Sequence, residues 1–129
     1  MFESELETVL KRIFDVPKVS FAKPSDKVKE QNVLFVDVIK CTSKAKENIY
    51  KAKVTADLVM YAPATKLTFG FFNKRIQQST VEDTKNFYFY NIEESEKVYG
   101  DVVERKLSFI YFFQTEYDPD HGSLTSVEF

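Results

Sequence analysis

From Asn48 to Tyr61 the chain sorts its side chains by parity. Tyr50, Ala52, Val54, Ala56, Leu58 and Met60 are apolar, and Lys51, Lys53, Thr55 and Asp57 between them are polar. Successive side chains of a strand point to opposite faces, so this pattern predicts a sheet with one dry and one wet face. At ~3.3 Å per residue the strand spans about 40 Å, which is long for one small domain. Residues 2–14 show the other period: Phe2, Leu6, Val9, Leu10, Ile13 and Phe14 make one stripe of an amphipathic helix. Asp15-Val16-Pro17 ends it, because the residue before a proline is pushed out of helical geometry.

Lys18–Ala22 alternates as a short strand with Val19 and Phe21 on one side. Asn32–Cys41 is a second strand, whose unbroken Val33-Leu34-Phe35-Val36 predicts cover on both faces or a central position. Residues 42–48 are polar and read as a turn or loop that joins this strand to the long one in an antiparallel hairpin. Ala62-Pro63-Ala64-Thr65 breaks the sheet. Phe69, Phe72 and Ile76 then predict a helix over about 66–79, weakened by Gly70. Phe87–Tyr90 is an aromatic strand, and Glu93-Glu94-Ser95-Glu96-Lys97 a charged loop closing near Gly100. The last strand, about 103–117, puts Leu107, Phe109, Tyr111, Phe113 and Tyr117 on one side and Lys106, Ser108, Gln114 and Glu116 on the other. Ile110 and Phe112 break that rule: they are apolar at polar-side positions. From Asp118 the chain reads as a loose tail. Two helices over one face of a mostly antiparallel sheet give an α+β sandwich of two layers, and the whole chain, residues 1–129, reads as one domain.

Composition narrows the function classes. Of 129 residues, 43% are hydrophobic and 29% charged, with thirteen Phe, seven Tyr and no Trp, as in an aromatic-rich globular domain. The net charge of −2 gives no global attraction for nucleic acid or an anionic membrane. It is uneven, however: residues 1–53 hold eleven Lys/Arg against eight Asp/Glu, and residues 54–129 seven against twelve. That asymmetry is compatible with head-to-tail contact between copies. No apolar run approaches the ~20 residues needed to cross a bilayer, and Met1–Glu5 lacks the basic start of a signal peptide, so a soluble chain without a membrane partner is expected. The single Cys41 excludes an internal disulfide and is expected to be a small buried hydrophobe.

Chemistry-bearing motifs are sparse. His121, within Asp118-Pro119-Asp120-His121-Gly122, has acidic neighbours that suit a metal, but Asp, Pro and Gly equally make a solvated turn. A Cys41–His121 nucleophile pair lacks any sign of a third group to orient it. Glu93, Glu94 and Glu96 read as a solvated charge run before they read as acid–base catalysts. Lys40, Lys44, Lys46, Lys51 and Lys53 cluster on the hairpin, as contacts for phosphates or for an acidic partner. Phe69, Phe71 and Phe72 with Phe109, Phe112 and Phe113 either fill the space between helix and sheet or line an apolar pocket. Ile110 and Phe112, with Lys51 and Lys53 beside them, are candidates for an oligomer interface. No catalytic residue, metal ligand or cofactor is expected.

The element order, with the hairpin Val33–Cys41/Tyr50–Tyr61, the break Tyr61-Ala62-Pro63-Ala64 into a helix, and a final strand ending Phe113-Gln114-Thr115-Glu116-Tyr117, resembles the tail terminator (tail completion) proteins of long-tailed bacteriophages. The resemblance spans most of the chain and rests on pattern rather than on a signature motif. It implies a non-enzymatic virion protein, assembled in the host cytoplasm, six copies of which form a ring. The ring would cap the tail tube and face the neck or head-completion proteins, with DNA as passing cargo. Lys44, Lys46 and Glu47 would then lie in a loop that meets the tube. One departure is the crowd of lysines on the hairpin, since a channel that must release DNA is better lined with acidic groups. Another adaptor or baseplate component of the tail is an alternative. A cone-type small-molecule carrier or enzyme, enlisting Tyr61, Tyr111 or His121, is a second.

Overall fold

The computed structural model describes residues 2–94, 96–118 and 123–126. Helix α1 (Glu3–Phe14) forms where the 3.6-residue stripe predicts it, burying Leu6, Val9, Leu10, Ile13 and Phe14. Asp15 ends it in a left-handed conformation with φ 52°. Strand β1 (Lys18–Ser20) pairs in parallel with the start of β2 (Val33–Lys46). It stops short of Phe21, which is exposed instead of sharing the buried side of Val19. β2 is longer than its apolar run implies. The segment expected as a turn or loop, including Lys44 and Lys46, continues the strand up to the two-residue turn Glu47–Asn48, where Glu47 takes φ 58°. Strand β3 (Ile49–Pro63) returns against it, with an irregularity in register between Val38 and Lys40.

The single helix expected over 66–79 resolves into a turn and two helices. Pro63 O accepts from the backbone N–H groups of Lys66 and Leu67, and Gly70 sits at φ 87°, a conformation that suits glycine and excludes helix. Helix α2 therefore starts only at Phe71 (Phe71–Gln78), and Thr80 caps a short α3 (Val81–Thr84) by accepting from Asp83 N. Strand β4 (Phe87–Tyr90) follows. The charged run then departs from a plain loop, since its second half is strand β5 (Glu96–Tyr99), turned by Gly100 at φ 60° into β6 (Val102–Asp118). In the segment expected to be loose, Asp118 ends β6 and Ser123–Ser126 pairs with β6 as β7; residues 119–122 and 127–129 lie outside the described residues.

The sheet runs β1-β2-β3-β6-β4, antiparallel apart from β1–β2. β3 and β6 pair along their whole common length, Ile49 with Glu116 through Pro63 with Val102. The other edge of β6 is covered end to end by three short strands: β5 beside residues 102–105, β4 beside 108–111 and β7 beside 115–118. Helices α1 and α2 pack on one face, with α3 held to α1 by the Arg12–Asp83 ion pair, so the chain is an α+β two-layer sandwich. The main core joins the α1 stripe and Phe72 to Val54, Ala56, Leu58, Leu107, Phe109 and Tyr111, the dry parity of β3 and β6. Phe14 meets Phe72 edge-on at 5.3 Å between ring centroids. A second, smaller cluster of Val33, Phe35, Val59 and Tyr61 lies on the opposite face, which is why the Val33–Val36 run has no polar member.

The candidate interaction face of the sheet

Among the described residues no helix covers the second face, and cross-strand register orders it in rows. Residues directly opposite in an antiparallel pair share a face. Starting at the hairpin end, the rows are Lys46/Ile49/Glu116, then Lys44/Lys51/Gln114, then Thr42/Lys53/Phe112, then Lys40/Thr55/Ile110/Tyr88, then Asp37/Asp57/Ser108/Tyr90. The structure thus brings together all of Ile110, Phe112, Lys51 and Lys53. Phe112 is 41% exposed beside Lys53, Tyr88 is 61% exposed opposite Ile110, and Ile110 itself is half-buried between Thr55 and Tyr88. Lys44 faces Lys51 directly, a like-charge pair that costs a few tenths of a kcal/mol. Among the described residues Lys40, Lys44, Lys46, Lys51 and Lys53 make no ion pair.

The far half of the β2–β3 hairpin is an arm. Every residue of β2 from Val38 to Lys46 is exposed, including Ile39, and β1 pairs only with Val33–Phe35. Cys41 sits on this arm and is exposed, contrary to the buried position its composition implied. Its cross-strand partner Val54 on β3 is fully buried in the main core, so at this level the cover reaches β3 and stops before β2. A shallow pocket of about 350 Å³ at the arm's end is lined by Lys44, Lys46, Glu47, Ile49 and Lys51, which places the three candidate partner-contact residues together.

At the near end, the same face holds a groove of about 340 Å³ between the sheet and the segment that joins β1 to β2. Its floor includes Phe35, Asp37, Asp57 and Tyr61, and its wall includes Asp26 and Lys29. Ser108 Oγ donates to Asp57 Oδ1 at 2.7 Å, holding that carboxylate in place opposite Asp37. The Lys29 ammonium lies 4.7 Å from the Tyr99 ring centroid and 5.3 Å from that of Tyr61, a cation–π seat. Glu104, buried, receives Lys106 Nζ at 3.4 Å and Tyr99 Oη at 3.5 Å. Burial first, and then its hydrogen bond to Glu104, pushes the Tyr61 hydroxyl well above the ordinary tyrosine range. None of these groove residues except Tyr61 stood out in the sequence. Two aspartates twenty positions apart become neighbours only through β2–β3 register.

Other expectations meet different outcomes. Glu93 is not a solvated member of an acidic run: it is 5% exposed, and its Oε1 accepts from Phe72 N at 3.1 Å. Gly70 offers α2 no side-chain cap, so Glu93 supplies one from across the chain, at the helix end where a negative charge is favoured. Glu96 pairs with the buried Arg105 at 2.9 Å, and Glu94 is exposed. The phenylalanine cluster does not line a pocket. Phe72, Phe109 and Phe113 are core, Phe69 is exposed with the Arg105 guanidinium 5.4 Å from its ring, and Phe112 faces the other way. Tyr111 is buried, with its hydroxyl donating to Glu5 Oε1 at 3.0 Å. His121 and its acidic neighbour Asp120 lie outside the described residues; among those described, no three His, Cys, Asp or Glu side chains gather as metal ligands. No helix of the described residues is long and apolar enough to cross a membrane.

These features define a class, a two-layer α+β domain with one face packed by helices and one face that, among the described residues, no helix covers. No protein-family model matches the sequence, and a comparison with curated proteins finds no significant match.

Proposed function

We propose that this chain is a non-enzymatic structural subunit that works by self-association, in the manner of a tail terminator ring that caps a phage tail tube and joins it to the neck. The observation that carries the reading is the exposed Phe112, flanked by Ile110 and Tyr88 and bordered by five lysines that make no ion pair among the described residues, on the sheet face that no described helix covers. An apolar strip inside a charged rim is the anatomy of an interface. The arm adds reach: it carries Lys44, Lys46 and Glu47 beyond the core to where a tube protein is met. Tail terminators are ring proteins with no catalytic role, and the element order resembles theirs over most of the chain.

The test is solution mass by light scattering over a range of concentrations. The expected result is a ring-sized species near six subunits that grows with concentration, and a Phe112→Asp variant that stays folded and monomeric. A wild-type chain that remains monomeric at every concentration would sink the reading.

The small-molecule alternative has one observation in its favour, the groove at Tyr61. The cavity it expected between helix and sheet is filled, with Phe72 and Phe109 fully buried there. A thermal-shift screen separates the two: a compound that stabilises a strictly monomeric protein, and loses its effect in Tyr61→Ala, favours the pocket.

A further inference from the structure

The two ends of the helix-free face differ. The far end is basic, the middle holds Phe112, Ile110 and Tyr88 with Lys40 among them, and the near end sets Asp37 opposite Asp57 in a groove lined by both carboxylates and lysines. The row order is Lys44/Lys51, Thr42/Lys53/Phe112, Lys40/Thr55/Ile110/Tyr88, Asp37/Asp57. From Lys53 to Asp57 is four residues, or about 13 Å along β3, too far for these two to neutralise each other directly. Lys40, one row from the aspartates, makes no ion pair with either among the described residues. We infer that the basic arm of one copy lies at the aspartate pair in the groove of the next, Lys51 and Lys53 against Asp37 and Asp57, with Phe112 packed between. This deepens the self-association reading above and rests on it, naming the second surface that the first one meets.

Three observations support the match. Each end carries a like-charge pair in direct register, Lys44 opposite Lys51 and Asp37 opposite Asp57. None of the four makes an ion pair among the described residues, and a partner of opposite charge relieves both. The groove already seats one ammonium, since Lys29 lies over the Tyr61 and Tyr99 rings, so its aromatic wall and carboxylates suit a lysine side chain. The arm is exposed along β2 from Val38 onward, so it is free to reach a neighbour without unfolding anything. The two patches are distinct parts of the surface, which makes the contact head-to-tail; such a contact repeats around a ring when its rotation closes.

A charge swap tests the pairing. Lys51→Glu/Lys53→Glu and Asp37→Lys/Asp57→Lys are each expected to lose assembly, with circular dichroism of the folded chain retained. Mixing the two variants places glutamate arms on lysine grooves and lysine arms on unaltered aspartate grooves, so the mixture is expected to regain ring-sized mass with alternating copies. Asp57→Asn, which keeps the Ser108 hydrogen bond, serves as a second groove variant should the double lysine change fail to fold; it is expected to shift the assembly midpoint several-fold to higher concentration. Variants that assemble like wild type would overturn the arm-in-groove contact while leaving self-association through Phe112 standing. A mixture that stops at two copies would overturn its head-to-tail geometry. A wild-type protein that never associates removes the reading on which the inference rests.

Discussion

The two halves of the β2–β3 hairpin are built from one continuous pair of strands, yet they have opposite fates. In the near half, Leu34 pairs with Met60 and Val36 with Leu58, and all four are buried under α1 and α2. In the far half, Thr42 pairs with Lys53 and Lys44 with Lys51, and β2 is exposed throughout. Backbone pairing is the same in both halves, so hydrogen bonds do not distinguish them. What differs is the cover. In the near half the apolar side chains of both strands are covered, on one face by helices and on the other by the small cluster of Val33, Phe35, Val59 and Tyr61. Burial stabilises the fold by about 25 cal/mol per Å²; in the far half only the dry side of β3 is covered, and β2 is not. Stability is therefore concentrated in one half and the capacity to bind in the other.

The sharpest way to break this contrast is to truncate one residue in each half. Leu58→Ala, at a fully buried position, is expected to lose about 2–5 kcal/mol of stability, whereas Cys41→Ser on the arm stays within about 0.5 kcal/mol. Urea unfolding with tyrosine fluorescence measures both, and equal losses would mean that the arm is part of the cooperative core.

A smaller effect is expected at Glu93. Its removal in Glu93→Ala leaves the Phe72 N–H without its acceptor and costs roughly 1–3 kcal/mol, with much of the loss restored in Glu93→Gln, which keeps an acceptor oxygen. Hydrogen exchange should show the change at the start of α2 and not along the arm.

Alkaline pH provides a further separation. Burial raises the hydroxyls of Tyr61 and Tyr111 above their ordinary value of 10.0, so both stay protonated in the folded chain where an unfolded chain ionises. Folding stability is then level up to about pH 10 and declines as the pH rises further, because the unfolded state releases those protons first. A Tyr111→Phe variant, which also gives up the hydrogen bond to Glu5, should show a shallower decline in a series of chemical melts between pH 8 and 11.

The smallest change sharpens the contrast by its sign. Lys51→Gln removes the repulsion with Lys44 and is expected to leave the monomer unchanged or a few tenths of a kcal/mol more stable, while weakening self-association. A variant less stable by 1 kcal/mol would show that Lys51 serves the fold rather than the contact.

Much of the architecture was legible because it depends on short-range periodicity. The α1 stripe, the alternation in β3 and β6, and the double-sided burial of Val33–Val36 follow from which side chains fall on which side of an element. The mismatched parity of Ile110 and Phe112 was legible for the same reason. The start of α2 was not: Phe69 and Ile76 share a helical period, but Gly70 at φ 87° and the turn that closes on Pro63 O end it early. The fate of Cys41 and the strand through Lys44 and Lys46 were likewise hidden, because exposure of an arm depends on where the helices stop. Register decided the rest. Asp37 and Asp57 become a pair, and Glu93 becomes the cap of α2, only when distant segments are laid side by side. By itself, then, the sequence determined the periods, the dry face and the odd apolar residues on the wet one. Only the tertiary structure decided which charges meet, since that follows from strand register and helix placement, interactions between residues far apart in the chain.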